Sequence, residues 1–215
     1  MTYTGHVRPG GPAEIRGVDA ATITKFSVST MDNNVYLLSC RATGRQLLID
    51  AAAEANRIVE AVGPRGLSTI VTTHQHWDHV RALATVAKRT GARSLAHTDD
   101  ADEIPVVDDT LRDGDTIDCG EFSLEVIHLV GHTPGAIALL YRDSGGDHLF
   151  TGDSLFPGGP GKTNSPKDFR SLMTDLETKV FGRLADNTWV YPGHGDDTTL
   201  GAERPHLKEW WDRGW

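Results

Sequence analysis

Seven side chains that can ligate a metal fall in four short stretches of this chain: His74-Gln75-His76-Trp77-Asp78-His79, Gly131-His132-Thr133-Pro134-Gly135, Thr151-Gly152-Asp153 and Pro192-Gly193-His194-Gly195. Asp50 closes an apolar run ahead of them. Imidazole nitrogen and carboxylate oxygen suit zinc first, with iron or manganese as alternatives, and seven donors suffice for two divalent ions. Two such ions about 3.5–4 Å apart make a nucleophile from water and hold an oxyanion, so the set names a reaction class.

Each stretch alone has a plainer reading. A lone His-x-His is often polar surface on alternate strand positions, and the two Gly/Pro-bounded stretches have the punctuation of ordinary turns. Thr151-Gly152-Asp153-Ser154 could be a helix cap. Asp78-His79 changes the balance: a sharp strand-to-helix turn can aim His74 and His76 at one point and Asp78 and His79 at another. Asp78 falls at the helix start, where the dipole favours a carboxylate.

The elements that must position these residues follow from apolar patterning. Short β-type runs cover Ile23–Ser29, Val35–Cys40 and Gln46–Asp50. A helix is expected over Ala51–Val62 and stopped by Gly63-Pro64; a buried strand then runs over Leu67–Thr73 into the histidine cluster. Val80–Thr90 reads as a helix and Ser94–His97 as a strand. Further strands are expected near Thr116–Ile117, Phe122–Leu129, Ala136–Tyr141, His148–Thr151 and Thr188–Tyr191, with a helix over Lys167–Phe181 introduced by Ser165-Pro166. Strands, helix, strand, helix, twice over, suit an α/β fold with two sheets face to face and helices outside, an αββα sandwich. Every metal-type residue then follows a strand, where such folds place their sites.

A chain of 215 residues is most simply one domain; residues 1–21, rich in Gly and Pro, are expected to run extended over the surface, leaving 22–215 as the domain. The net charge of −9 argues against binding nucleic acid or an anionic membrane by bulk electrostatics. No apolar run approaches the ~18 residues of a membrane span, and Met1–Arg16 has no apolar signal core, so a cytoplasmic protein is expected. Cys40 and Cys119 are the only thiols and read as a buried reduced pair.

With all four stretches present in order, the chain resembles the metallo-β-lactamase superfamily, and within it the glyoxalase II-like hydrolases, over roughly residues 22–196. The resemblance implies an αββα fold with a dinuclear site. Carried over position by position, it assigns His74, His76 and His132 to the first metal and Asp78, His79 and His194 to the second. Asp153 would bridge both, and Asp50 would support the site from outside the ligand set. Asp78 and Asp153 are the candidate catalytic carboxylates. A bridging hydroxide would attack a thioester or ester carbonyl, with the oxyanion held by metal.

Three departures narrow the branch. Family β-lactamases generally place Cys or Ser where this chain has Asp153. Family nucleases carry a large insertion or basic arm, which nothing here matches. Full glyoxalase II has a long helical C-terminal segment that grips glutathione, whereas 21 residues follow His194 here. Another anionic thiol conjugate, an ester or a lactone is therefore an alternative substrate. The main rival is the persulfide dioxygenase branch, in which His76, His132 and Asp153 would hold one iron. A non-enzymatic scaffold binding metal or ligand is the remaining alternative.

After Asp153 runs a Gly/Pro-rich stretch, Ser154 to Asn164, whose Lys162 is the candidate substrate contact for an anionic group. His6, His97, His128, His148 and His206 are read as ordinary surface or core histidines. Alternation turns Trp77 away from the metals to pack beneath the loop. Trp210, Trp211 and Trp215 are expected to pack a last helix onto the domain, with a homodimer contact or a pocket wall as the alternatives.

Overall fold

The computed structural model describes residues 3–214. Seven strands form the first sheet in chain order: β1 (Glu14–Gly17), β2 (Ala21–Val28), β3 (Asn33–Cys40), β4 (Gln46–Ile49), β5 (Thr69–Val71), β6 (Arg93–His97) and β7 (Asp109–Leu111). β1 to β4 pair antiparallel and β4 to β7 parallel. The crossovers between the parallel strands bring in α1 (Ala55–Val62), then α2 (Trp77–Val80) and α3 (Leu83–Thr90). The second sheet contains β8 (Thr116–Cys119), β9 (Phe122–His128), β10 (Ile137–Tyr141) and β11 (His148–Gly152). A small hairpin of β12 (Leu155–Phe156) and β13 (Gly159–Pro160) follows, then α4 (Pro166–Asp175). β14 (Trp189–Pro192) and β15 (Thr198–Thr199) complete the sheet in the order β15-β14-β11-β10-β9-β8, and α5 (Leu200–Glu203) and α6 (Leu207–Arg213) end the described chain.

Side-chain alternation sorts the core into three layers. Tyr36, Leu38 and Cys40 of β3 point between the sheets, where they meet Leu124, Val126, Leu139 and Phe150 of the second sheet. Val35 and Leu37 point the other way, onto Ile58 of α1 and Leu83 and Val86 of α3. Ala138 and Leu140 of β10 pack likewise against Phe169, Leu172 and Met173 of α4, with Trp210 of α6. Each of these larger apolar side chains stabilises the fold by roughly 1.5–3 kcal/mol through burial. The expected αββα sandwich is therefore the observed architecture.

The differences from expectation have local causes. The segment before β2 is not merely draped over the surface, because β1 pairs with β2 as an edge strand. α1 begins four residues late: Asp50 and Glu54 take positive φ (57° and 54°), and the Ala51 carbonyl accepts a hydrogen bond from Ala82 N–H at 3.0 Å. That same bond takes Ala82 out of helical pairing, so the helix expected from Val80 starts at Trp77 and breaks before α3. α4 ends at Asp175 and continues as a wider turn over Leu176–Phe181. Its start matches the signal, with Ser165 Oγ accepting from Asp168 N–H and Pro166 in the first turn. Cys40 and Cys119 are buried free thiols. Trp210 is 1% exposed and Trp211 packs edge-on to Phe169, whereas Trp215 lies outside the described residues. No helix among the described residues is long and apolar enough to cross a membrane.

Candidate metal centre

The ligand-type residues all follow strands at one end of the sandwich: Asp50 after β4, His74 to His79 after β5, His132 after β9, Asp153 after β11 and His194 after β14. The topology thus brings together side chains as far apart in the chain as Asp50 and His194, 144 residues. Three overlapping groups have ligand atoms within 4.8 Å of one another: His74, His76 and His132; His74, His79 and Asp153; and Asp78, His79 and His194.

Asp153 lies between the two outer groups. Its Oδ2 is 4.0 Å from His74 Nε2, 3.6 Å from His132 Nε2 and 3.4 Å from His194 Nε2, and its Oδ1 is 3.4 Å from His79 Nε2. Asp78 Oδ2 is 3.6 Å from His79 Nε2 and 3.4 Å from His194 Nε2. Two donors of one tetrahedral ion, each at about 2.1 Å, stand roughly 3.4 Å apart, so this spacing is that of a ligand cage. Close backbone packing makes it: a Cβ at Gly193 would collide with Asp153 Oδ1 and His79 Cε1.

The rings are held from behind. His79 Nδ1–H donates to Asp50 Oδ2 at 2.9 Å, His132 Nδ1–H to the Lys162 carbonyl at 2.7 Å, and His194 Nδ1–H to the Met31 carbonyl at 2.8 Å. Thr73 donates its hydroxyl to Asp50 Oδ2 at 2.7 Å, which leaves Oγ1 to accept from His74 Nδ1–H at 3.0 Å. Asp50 therefore orients one ring directly and another through Thr73, an arrangement that leaves each Nε2 lone pair facing inward.

A divalent cation fits this donor set. His74 Nε2, His132 Nε2 and Asp153 Oδ1 are buried without a hydrogen-bond partner, and burying such atoms unpaired is costly. The electrostatics of the cage point the same way. Burial pushes His74 well below its usual range, helped by the neighbouring His79, and burial also lowers His132. Burial opposes charge on His79 too, but Asp153 and then Asp50 outweigh it and push that ring up to about 10. Asp153 is held well below the usual carboxylate range against the cost of its burial, chiefly by His79. The buried carboxylates thus demand positive charge among them.

A family model described as Metallo-beta-lactamase superfamily matches residues 29–194. The chain belongs to that superfamily. Among its superfamily relatives, a hydroxyacylglutathione hydrolase of Fuscovulum blasticum is 40% identical over 167 residues, 76% of this chain and 62% of that protein. Hydroxyacylglutathione hydrolase GloC of Haemophilus influenzae is 31% identical over 179 residues, 73% of this chain and 83% of that one. The solved structure of TTHA1623 in a di-iron-bound form matches with TM-score 0.68 and 28% identity, covering 83% of this chain and 95% of that chain. The chain spans less than two thirds of the length of several hydroxyacylglutathione hydrolases it matches, 62% of the first.

All seven expected ligand-type residues converge, and Asp50 stands behind them. Lys162 reaches the cage through its carbonyl, with its side chain exposed. Trp77 departs from expectation: it is 61% exposed, and the Arg81 guanidinium lies 4.9 Å from its ring centre. Its turn enters α2 directly, so strand alternation does not apply there. His97 and His128, read as ordinary, stack at 3.8 Å beside Asp99, and His128 Nε2–H donates to the Pro134 carbonyl at 2.8 Å. Asp100 and Asn33 are not among the residues expected from the sequence, yet both are buried and both are bonded to the ligand-bearing turns. Each sits in an Asp/Asn-rich stretch that reads as an ordinary turn, so no signal marked them.

Proposed function

We propose that this chain is a metal-dependent hydrolase of the glyoxalase II type that cleaves an anionic thioester. The observation that carries the reading is Asp153, whose two oxygens face Nε2 atoms of both histidine groups, a position from which one carboxylate would reach two divalent ions. Two divalent cations, zinc first and iron or manganese as alternatives, would supply the acidity that ionises water near neutral pH and the charge that stabilises an oxyanion.

The chain's own residues account for the rest. His74, His76 and His132 would hold one ion, and Asp78, His79 and His194 the other. Asp50, Thr73, the Lys162 carbonyl and the Met31 carbonyl keep four of those rings aimed, so little reorganisation is left for the reaction. Thiolate is a good leaving group and needs no strong general acid, which favours a thioester over a plain amide. The exposed Lys162 ammonium, on the segment that contacts His132, suits an anionic thiol carrier.

The relatives named hydroxyacylglutathione hydrolase support a hydroxyacyl thioester of glutathione as the first substrate to try. Thiol release from that compound by metal-loaded protein tests the proposal. Turnover that disappears on chelation and returns with metal is the expected result. No release from any thioester, ester or lactone, with oxygen consumed on glutathione persulfide instead, would replace it with the single-iron dioxygenase.

A further inference from the structure

Two buried residues outside the seven grip the ligand-bearing turns, and each grips a different half of the cage. Asp100 is 1% exposed. Its Oδ2 accepts from the Gln75 backbone N–H at 2.9 Å and the Thr133 hydroxyl at 2.6 Å, and its Oδ1 from the Gly135 N–H at 2.6 Å. Gln75 lies between His74 and His76, while Thr133 and Gly135 bracket the turn after His132. One carboxylate therefore joins the two turns that present those three histidines. The approach is tight: a Cβ at Gly135 would meet the Asp100 backbone nitrogen at 2.6 Å.

The opposite half is held by the tip of the β2–β3 hairpin. Asn33 is fully buried; its amide N–H donates to Asp78 Oδ2 at 2.8 Å, and its side-chain carbonyl accepts from the Ser29 hydroxyl at 2.6 Å. Its backbone bridges to His194, whose Nδ1–H reaches the Met31 carbonyl of the same tip. Ser29 and Asp32 take positive φ (64° and 58°), so the tip is shaped to make these contacts at some conformational cost.

We propose that Asp100 and Asn33 are positioning residues that set the two metal positions separately, Asp100 the one facing His74, His76 and His132, Asn33 the one facing Asp78 and His194. The proposal rests on the dinuclear reading above. Neither residue offers a free donor atom to an ion. Each acts by fixing the ligands that do, and loss of such partners weakens metal binding by roughly 10–100-fold.

Asp100→Asn sets an amide N–H against a backbone N–H at one of its two oxygens, so the turns carrying His74, His76 and His132 part. Asn33→Asp sets a carboxylate oxygen where the N–H faced Asp78, so Asp78 is repelled. Metal-free protein is titrated with cobalt(II) by calorimetry and visible absorption, and anomalous diffraction at limiting metal identifies the position filled. Wild type should take two ions. Asp100→Asn should weaken the His74–His76–His132 position roughly 10–100-fold and spare the other, and Asn33→Asp should do the reverse. Thr133→Val, which removes only the hydroxyl bond, should shift the same position as Asp100→Asn by less.

Melting of the metal-free variants separates misfolding from lost positioning, since selective emptying requires a folded cage. Equal weakening of both positions by either variant, or no weakening by both, would overturn the proposal. One ion in wild type at every concentration would overturn the dinuclear reading and the Asn33 half with it. The Asp100 half would then be read on the single remaining ion.

Discussion

His79 and His194 aim their Nε2 atoms at one another across 3.2 Å, while each donates Nδ1–H outward, to Asp50 and to the Met31 carbonyl. Two inward-facing acceptors that close repel unless a positive charge stands near both. Asp78 and Asp153 add carboxylate oxygens within 3.6 Å of the same pair of nitrogens. The chain folds around this concentration of acceptors because hydrogen bonds from behind leave the rings no other orientation.

Asp50 is the strongest test of that support, since it holds His79 directly and His74 through Thr73. Asp50→Ala should lower metal affinity at both positions by roughly 10–100-fold without removing any ligand. Competition against a chromophoric chelator measures this, and affinity equal to wild type would show that the rings are held otherwise.

The two carboxylates of the cage should differ in effect. Asp153→Ala should lose both ions and activity together, because its oxygens face both histidine groups. Asp78→Ala should empty mainly the position shared with His79 and His194 while the fold survives. Anomalous scattering from the two variants decides, and two full positions in the Asp78 variant would show that the ligand assignment is wrong.

These residues were legible in the sequence for a physical reason. Their placement marked them: each of the four stretches follows an apolar run read as a strand, so the fold and the cage could be read together. The supports were illegible for the complementary reason. Asp100 lies in Thr98-Asp99-Asp100 and Asn33 in Asp32-Asn33-Asn34, where a carboxylate or amide is ordinary turn chemistry, and their partners Thr133 and Asp78 are distant in sequence. Helix ends failed similarly: the break before Leu83 comes from the bond between Ala82 and Ala51, a tertiary contact without a local signature.

Lys162 should act on substrate binding alone. Its exposed ammonium can meet an anionic substrate, while the contact to His132 is made by its backbone carbonyl and survives substitution. Lys162→Ala should raise KM for an anionic thioester several-fold with kcat little changed, the pattern of lost uniform binding. Steady-state kinetics across anionic and neutral acyl thioesters reads this, and an unchanged KM throughout would reduce the residue to surface.

His148 gives a pH signature away from the cage. Burial, with Arg16 adding to it, pushes its ring down to about 4, and Nδ1 accepts the Tyr191 hydroxyl at 2.8 Å. The unfolded chain binds this proton near pH 6.5 and the folded chain does not until about pH 4, so stability falls as pH drops through that window and levels off below it. His148→Gln should flatten the fall by ~2 kcal/mol relative to wild type. Urea unfolding of both proteins with chelator present, from pH 7 to pH 4, measures the difference; parallel curves would place His148 in contact with water.

The proposal of two metal ions is tested most directly by counting metal in protein purified without added metal and following activity as metal is removed and restored. Close to two zinc, iron or manganese ions per chain are expected, with thioester hydrolysis lost on chelation and recovered only as the second equivalent is added back. A single iron per chain supporting full activity, with oxygen consumed, would contradict it.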